Sequence, residues 1–401
     1  MSHAFTRRQV LAGTLGGLAA GGAGGLAWRS WTNGVFSVGQ GAAYEPWHSW
    51  RAAAAEATPR EPQALVHAGI LASNAHNTQP WRFHIEDGAI ALHADPERHL
   101  GSFDPFRREQ TLSLGCALEN MLQAAAAQGL QAEVAAPPGR MTLDSEGGKA
   151  PAARIRLTPG EPRESELYRT IPARHTHRGA YDGQPLPADL KRELQAFAPD
   201  SGPLRLFLFA PGDRMEALGR LIVSSTEAII ADRQMARDSA AWFRFDWKAV
   251  QERRDGVTLD TVGLPPLLNA AAKILPAPSD EEADRQWLEG TRDVHVATAP
   301  LLGMIAVRDL YDRPTALDAG RLWQRLHLWA TARELAAQPL NQPAEMVDRE
   351  AQLDLPPRTA ERLAEITGTS AWRPTFLFRL GQAESTARLS PRRAPEQVIM
   401  S

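Results

Sequence analysis

The stretch GCALENMLQAAAAQGL, Gly115 to Leu130, can be laid on GRLWQRLHLWATAREL, Gly320 to Leu335, with one constant offset. Each reads as a helix, with apolar residues at three- and four-residue intervals and alanines that let a neighbour approach. Helices rich in alanine and leucine resemble one another by composition alone. The same offset, however, also puts Asp104 on Asp309 and Arg108 on Arg313, which makes a duplicated helix-plus-strand unit the better reading. Length agrees with two domains, because 401 residues exceed the ~250 at which one hydrophobic core usually stops growing.

Working outward from the first copy, Glu61 to Leu71 suits a short helix that ends in a polar run. A hairpin follows: Trp81, Phe83 and Ile85 alternate with polar residues, Asp87-Gly88 makes the turn, and Ile90 and Leu92 return on the same face. The repeated helix should run from Arg107 to Gln128, and the Pro/Gly-rich stretch Pro137 to Pro151 then reads as a linker. Around the second copy, strands are expected at Leu204 to Phe209, Leu301 to Val307 and Thr375 to Leu380, with helices at Asp213 to Ile230 and Ala316 to Ala337. Between them Ala231 to Ser279 is rich in Trp, Arg and Pro, contains Arg254-Asp255-Gly256, and is expected to be irregular. An insertion of that length is a lid or a domain-swapped arm, and lid is the preferred reading. The resulting division is residues 1–40 as a leader, 41–160 as the first half, and 161–401 as the second half with a lid at about 231–279.

Apolar residues at 43%, charged residues at 23% and a net charge of -3 describe an ordinary globular chain and give no electrostatic reason to expect nucleic-acid binding. The single cysteine, Cys116, can form neither an internal disulfide nor a cysteine-based metal site, and its apolar helical setting reads as a small buried hydrophobe. At the N-terminus, Thr6-Arg7-Arg8-Gln9-Val10-Leu11 precedes an uncharged, glycine-rich stretch reaching Trp28. Paired arginines before a weakly apolar segment resemble a twin-arginine export signal, so the chain is expected to meet that export machinery and to lie in the periplasm or on the membrane facing it. Gly22 to Ala27 spell G-x-G-x-x-A, but with no strand before them they do not read as a nucleotide site. Trp28, Trp31, Trp47 and Trp50 follow without a clear cleavage site, which leaves both cleavage and retention as a membrane anchor open.

Two polar segments stand apart from these patterns. Ser73-Asn74-Ala75-His76-Asn77-Thr78-Gln79-Pro80-Trp81 is a loop whose amides offer a donor and an acceptor side by side, as the edge of a heterocycle requires. Arg174-His175-Thr176-His177-Arg178, just after Pro172, sets two guanidiniums about a hydroxyl, a plausible phosphate grip. Arginines flanking His175 and His177 would repel a divalent cation, so no metal is expected there. No G-x-S-x-G, C-x-x-C, H-E-x-x-H or P-loop is present.

Together the HNTQPW and RHTHR segments resemble the two flavin-binding motifs of the FMN-dependent nitroreductase family, and more closely its Acg-like branch, in which two nitroreductase halves are fused. The likeness runs from about Glu45 to the C-terminus and includes Asp104 to Asn120, Gly320 to Gln342, Arg373 to Gly381 and Ser390-Pro391-Arg392-Arg393. The resemblance implies an α+β fold of nitroreductase type. It would comprise two pseudo-symmetric halves, each a mainly antiparallel sheet with helices. It also implies an FMN-binding oxidoreductase passing hydride or electrons through flavin N5 to an unidentified small-molecule acceptor, with NAD(P)H as a candidate donor. By resemblance, Arg174 and Thr176 hold the FMN phosphate, joined by Arg392 and Arg393, and Arg178 lies toward the pyrimidine edge. Ser73, Asn77, Gln79 and Trp81 belong to the cofactor site from the other half, and the backbone near Leu340 and Asn341 faces N5. Each half carries one motif only, so one FMN per chain and a monomer that is its own pseudo-dimer are expected. Two departures stand out: Glu334 falls where the first copy has Gly129, and a closed lid would bar a nicotinamide from the ring. The competing reading is therefore a non-catalytic FMN-binding protein for storage or sequestration.

Overall fold

The computed structural model describes residues 27–50, 61–143, 150–199 and 201–400. The twin-arginine run Thr6 to Leu11 lies outside the described residues. In chain order the elements that position the site begin with α1 (Pro62–Ile70), β1 (Trp81–Glu86), β2 (Ala89–Ala94), α2 (Arg108–Ala127), β3 (Leu130–Ala135) and β4 (Ala153–Pro159). They continue with β5 (Leu204–Phe209), α3 (Asp213–Ala231), β6 (Leu301–Val307), α4 (Arg313–Ala332), β7 (Ala336–Pro339), α5 (Gln342–Gln352), β8 (Arg373–Gly381) and β9 (Ile399–Met400).

The fold is α+β with two main sheets. The first has the order β9-β1-β2-β4-β3 and the second β5-β6-β8-β7. All their pairings are antiparallel except one: β9, from the far end of the chain, runs parallel to β1, so the C-terminus returns to the first half. The β1–β2 hairpin forms as its alternation requires. Trp81, Phe83, Ile90 and Leu92 point into the core, and Gly88 supplies the turn with φ 66.

Helices α2 and α4 are the axis of the molecule. Both have 20 residues, and their ends correspond under the offset that relates the two sequences. They cross where Gly115 meets Gly320, and a Cβ on Gly115 would overlap the carbonyl oxygen of Leu317, while one on Gly320 would overlap that of Leu112. Leu112 and Leu317 are themselves equivalent, so the contact is a local two-fold of the kind seen at an isologous dimer interface. Around it Cys116 is buried and donates to the Gly320 carbonyl, and Glu119 takes Arg321 at 3.1 Å and Arg325 at 3.2 Å. The shared residues upstream have diverged. Asp104 accepts from the Glu109 and Gln110 amides at the start of α2, whereas Asp309 accepts from the Tyr311 amide and Asp312 caps α4.

Three expectations are corrected. The Pro137 to Pro151 stretch is not a boundary, because it joins β3 and β4, which pair with each other from Leu130↔Pro159 to Ala135↔Arg154. The segment 231–279 is not irregular but carries helices at Arg233–Ala240, Trp247–Arg253 and Pro266–Ile274. Helix α4 stops at Ala332 rather than Ala337, since Glu334 turns left-handed with φ 58, the counterpart of Gly129 at φ 70. A side chain in that conformation is strained, so Glu334→Gly should raise unfolding stability by about 0.5–1 kcal/mol in urea melts, after the entropy glycine adds to the unfolded chain.

Candidate functional site

The loop before β1 is wound tightly. His76, Asn77 and Gln79 have φ of 46, 54 and 50, a left-handed run that side chains rarely adopt. What holds it is specific: Asn74 Oδ1 accepts from the Gln79 amide at 2.8 Å, and the Ala75 amide donates to Ser113 Oγ on α2 at 3.1 Å. From the other half, Trp323 Nε1 on α4 donates to Ser73 Oγ at 3.1 Å, and the Ser73 amide donates to Gln324 Oε1 at 3.0 Å. The helix crossing thus fixes the position of Ser73.

Ser73, Asn74 and Asn77 share one polar cavity with Arg174, Thr176 and Arg178, with Arg388, Ser390 and Arg392 near the C-terminus, and with Gly256, Val257 and Thr261. The cavity is partly open to solvent, and none of its lining residues is acidic. Arg174 and Arg392 are each only 2% exposed. Arg174 donates to the Leu71 carbonyl at 3.2 Å and faces His327 Nδ1 at 3.3 Å, while its Nε has no partner. Arg392 donates to Asn77 Oδ1, to Ser390 Oγ at 2.8 Å and to the Ala72 carbonyl at 3.1 Å, lies 4.9 Å from the Trp47 ring, and also leaves Nε unpartnered.

Among the described residues, no carboxylate pairs with Arg174, Arg178 or Arg392. Burial pulls Arg174 and Arg178 down to about 10, and burial with the neighbouring Arg174 charge holds Arg392 well below the usual guanidinium range. His175 is pushed down to about 3 by burial and then by Arg174 and Arg392, so it adds no further charge. His327 accepts from Arg174 at Nδ1 and donates through Nε2 to the His175 carbonyl at 3.3 Å, one tautomer serving both. Uncompensated buried charge is costly by several kcal/mol per ion, and a bound anion would offset it. Among the described residues no His/Cys/Asp/Glu group is arranged to hold a metal.

Six of the residues singled out from sequence therefore meet at one place: Ser73, Asn77, Arg174, Thr176, Arg178 and Arg392. Three others stand behind it. Gln79 is fully buried, donating to the Arg254 carbonyl at 2.7 Å and accepting from the Arg393 amide at 2.8 Å. Arg393 turns to the Gln79 and Trp81 carbonyls and to Asp95 at 3.7 Å, and Trp81 packs in the core. Leu340 and Asn341 are not in the cavity lining either. The Leu340 amide donates to the Leu377 carbonyl, and Asn341 donates to Glu109 at 2.8 Å and accepts from the Leu377 amide. Beside Asn341 lie Glu109, raised to about 7 by burial and by the Asp104 and Asp348 charges, and Glu345, raised well above the usual carboxylate range by burial and by the Glu109 charge.

Sequence reasoning did not single out Val257 and Thr261 of segment 231–279, which with Gly256 line the cavity. Arg254-Asp255-Gly256 is the point where segment 231–279 joins the Asn77 loop. Gly256 exchanges two bonds with Asn77 at 3.1 Å, its φ of 79 suits glycine, and Asp255 takes Arg98 at 3.0 Å and Arg244 at 2.9 Å. Arg178 donates to the Thr261 carbonyl at 2.9 Å on the same segment. The one signal available was that charged and glycine-bearing triplet inside a long insertion.

No family model matches the chain. It is 28% identical over 351 residues, 84% of its own length and 90% of the relative's, to a Mycobacterium tuberculosis protein named "Putative NAD(P)H nitroreductase Rv3131". It is 38% identical over 72 residues, 18% of this chain and 22% of the other, to the M. tuberculosis protein named "Putative NAD(P)H nitroreductase acg". Among solved structures, the FMN-dependent nitroreductase NfnB of Mycobacterium smegmatis in complex with NADPH aligns with 18% identity and a TM-score of 0.36, covering 59% of this chain and 97% of that one.

Proposed function

We propose that this chain binds one FMN between its halves and acts as a flavin-dependent oxidoreductase, with NAD(P)H as donor and a small molecule as acceptor. The observation that carries the proposal is the set of guanidiniums without carboxylate partners, the buried Arg174 and Arg392 and the half-buried Arg178, converging on one cavity. A phosphate suits that donor set, since guanidinium forks match its oxygens and the unpartnered Nε atoms add donors. The similarity to proteins named NAD(P)H nitroreductases along most of the chain supports the choice of a flavin over another phosphate ester.

When bound, FMN supplies hydride and electron transfer. Arg174 and Arg392 would neutralise its phosphate and Thr176 would donate a hydroxyl bond. Arg178 would offset negative charge gained on reduction, and Ser73 and Asn77 would close the site from the other half. Gly256, Val257 and Thr261 of the lid line the cavity and would limit the access of water to it. One FMN per chain follows from there being a single RHTHR run and a single HNTQPW loop. On the pattern Thr6 to Leu11 we further propose twin-arginine export to the periplasm or its membrane face.

A specific observation also favours a flavin-storage role: the lid is bonded to both motif loops, through Asn77, Gln79 and Arg178. Adding NADH or NADPH anaerobically to the purified, flavin-loaded chain separates the two. Bleaching of the flavin absorbance establishes the oxidoreductase; an unchanged spectrum that dithionite then bleaches leaves binding alone. A chain that takes up no FMN overturns both readings, and two FMN per chain overturns the shared site.

A further inference from the structure

One helix of the lid is built inside out. In Pro266–Ile274, PLLNAAAKI, the polar side chains are the buried ones: Asn269 donates to Asp260 at 2.7 Å, and Lys273, only 7% exposed, meets the same carboxylate at 2.8 Å. Its leucines face outward, Leu267 at 86% exposure, with Leu268 beside it and Leu264 and Leu275 exposed on either side. A surface helix of a globular protein shows the opposite arrangement.

The beginning of the described chain packs beside this helix. Asn33 Nδ2 donates to the Lys273 carbonyl at 2.6 Å, and Lys273 Nζ donates to the Gly34 carbonyl at 3.1 Å. Flanking that contact, Trp28 is 69% exposed, Trp31 74%, and Phe36 is exposed as well. Large apolar side chains exposed on two segments that touch one another mark an interaction surface.

We propose that this face, formed by Leu264, Leu267, Leu268 and Leu275 with Trp28 and Trp31, docks on a lipid bilayer. Tryptophan beside leucine is the composition that settles at the boundary of headgroups and acyl chains, and a short helix with its cations turned away and its leucines outward lies flat there. The position of the chain's first residues points the same way. The described chain begins beside this helix, and the 26 residues before it run in sequence from Arg7-Arg8 into an uncharged stretch. Any hold of that stretch on a membrane brings the leucines to its surface. As a cover drawn from the chain itself it would serve poorly, because its glycines carry no side chain to bury. The docking face belongs to the same segment as Gly256, Val257 and Thr261, so the lid has a membrane side and a cavity side.

The test is flotation of the full chain with vesicles of phosphatidylcholine and phosphatidylglycerol, alongside the Leu267→Ser/Leu268→Ser variant. The wild type is expected to float with the vesicles, and the variant's partition should fall about tenfold or more with no loss of thermal midpoint, since only exposed apolar surface is removed. Equal partition of both proteins overturns the proposal and assigns membrane binding to the leader alone; failure of the wild type to float overturns it outright. A second measurement labels Leu267→Cys with an environment-sensitive dye, selectively because Cys116 is buried. A blue shift on adding vesicles is expected. A dye already shielded without lipid overturns the proposal, in favour of the leader if shielding is independent of protein concentration and of a second copy if it is not.

Discussion

Arg174→Met is expected to weaken FMN binding by about ten- to a hundredfold, corresponding to ~1.5–3 kcal/mol for a charge-assisted phosphate contact, while leaving the flavin-free protein as stable as the wild type or more so. The two effects have opposite signs for one reason. Without an anion, Arg174 is a buried cation whose ionisation is opposed by desolvation and whose charge also depresses Arg392. Replacing it with an apolar chain of similar length removes that penalty. In the proposed complex FMN would give the same guanidinium a partner, and its removal would leave the phosphate to Arg392 and Thr176. FMN titration of the variant, together with thermal melts without flavin, checks both. Wild-type FMN affinity would place the phosphate elsewhere. A strongly destabilised flavin-free variant would show Arg174 to be a structural clamp on the Leu71 carbonyl and His327.

The site was legible in the sequence where residue chemistry and proximity along the chain coincide. Arg174, Thr176 and Arg178 lie on alternate positions of one short loop, and Ser73 and Asn77 on another, so each motif enters the cavity as a unit. Gln79 belongs to the same motif yet turns away, and the reason is a partner more than three hundred residues on: the Arg393 amide and guanidinium saturate it and its carbonyl. Nothing in the local pattern says whether an amide faces a ligand or a distant backbone. Strands β5 and β6 have the ends that their apolar runs indicate, because both are bounded locally. Among the helices of segment 231–279, Pro266–Ile274 escaped notice since it exposes its leucines and buries its lysine, which defeats a reading based on which face should be apolar. Similarly, a glutamate in left-handed conformation carries no signal that a helix is ending, whereas Gly129 does.

Gly115→Ala and Gly320→Ala should each cost about 3 kcal/mol or more, because the added methyl meets backbone rather than a side chain that could swing aside. A carbonyl oxygen on a helix moves only with its helix, so α2 and α4 must separate. That separation reaches the site directly. Ser73 is held by Trp323 and Gln324 of α4, and the Asn77 loop by Ser113 of α2, so parting the helices pulls the two sides of the cavity apart. Urea melts and FMN retention should therefore fail together. The local two-fold adds a sharper expectation: both glycines face the same crossing, so one displacement of the helices makes room for both methyl groups, and the double variant should cost clearly less than the sum of the single ones. Gly290→Ala, where a Cβ would have nothing within 4 Å, is the control and should change stability by less than about 0.5 kcal/mol or raise it slightly. A Gly320→Ala chain with wild-type urea midpoint and full FMN content would mean that the halves are not joined through this crossing, and strict additivity of the two substitutions would mean that they act on separate contacts.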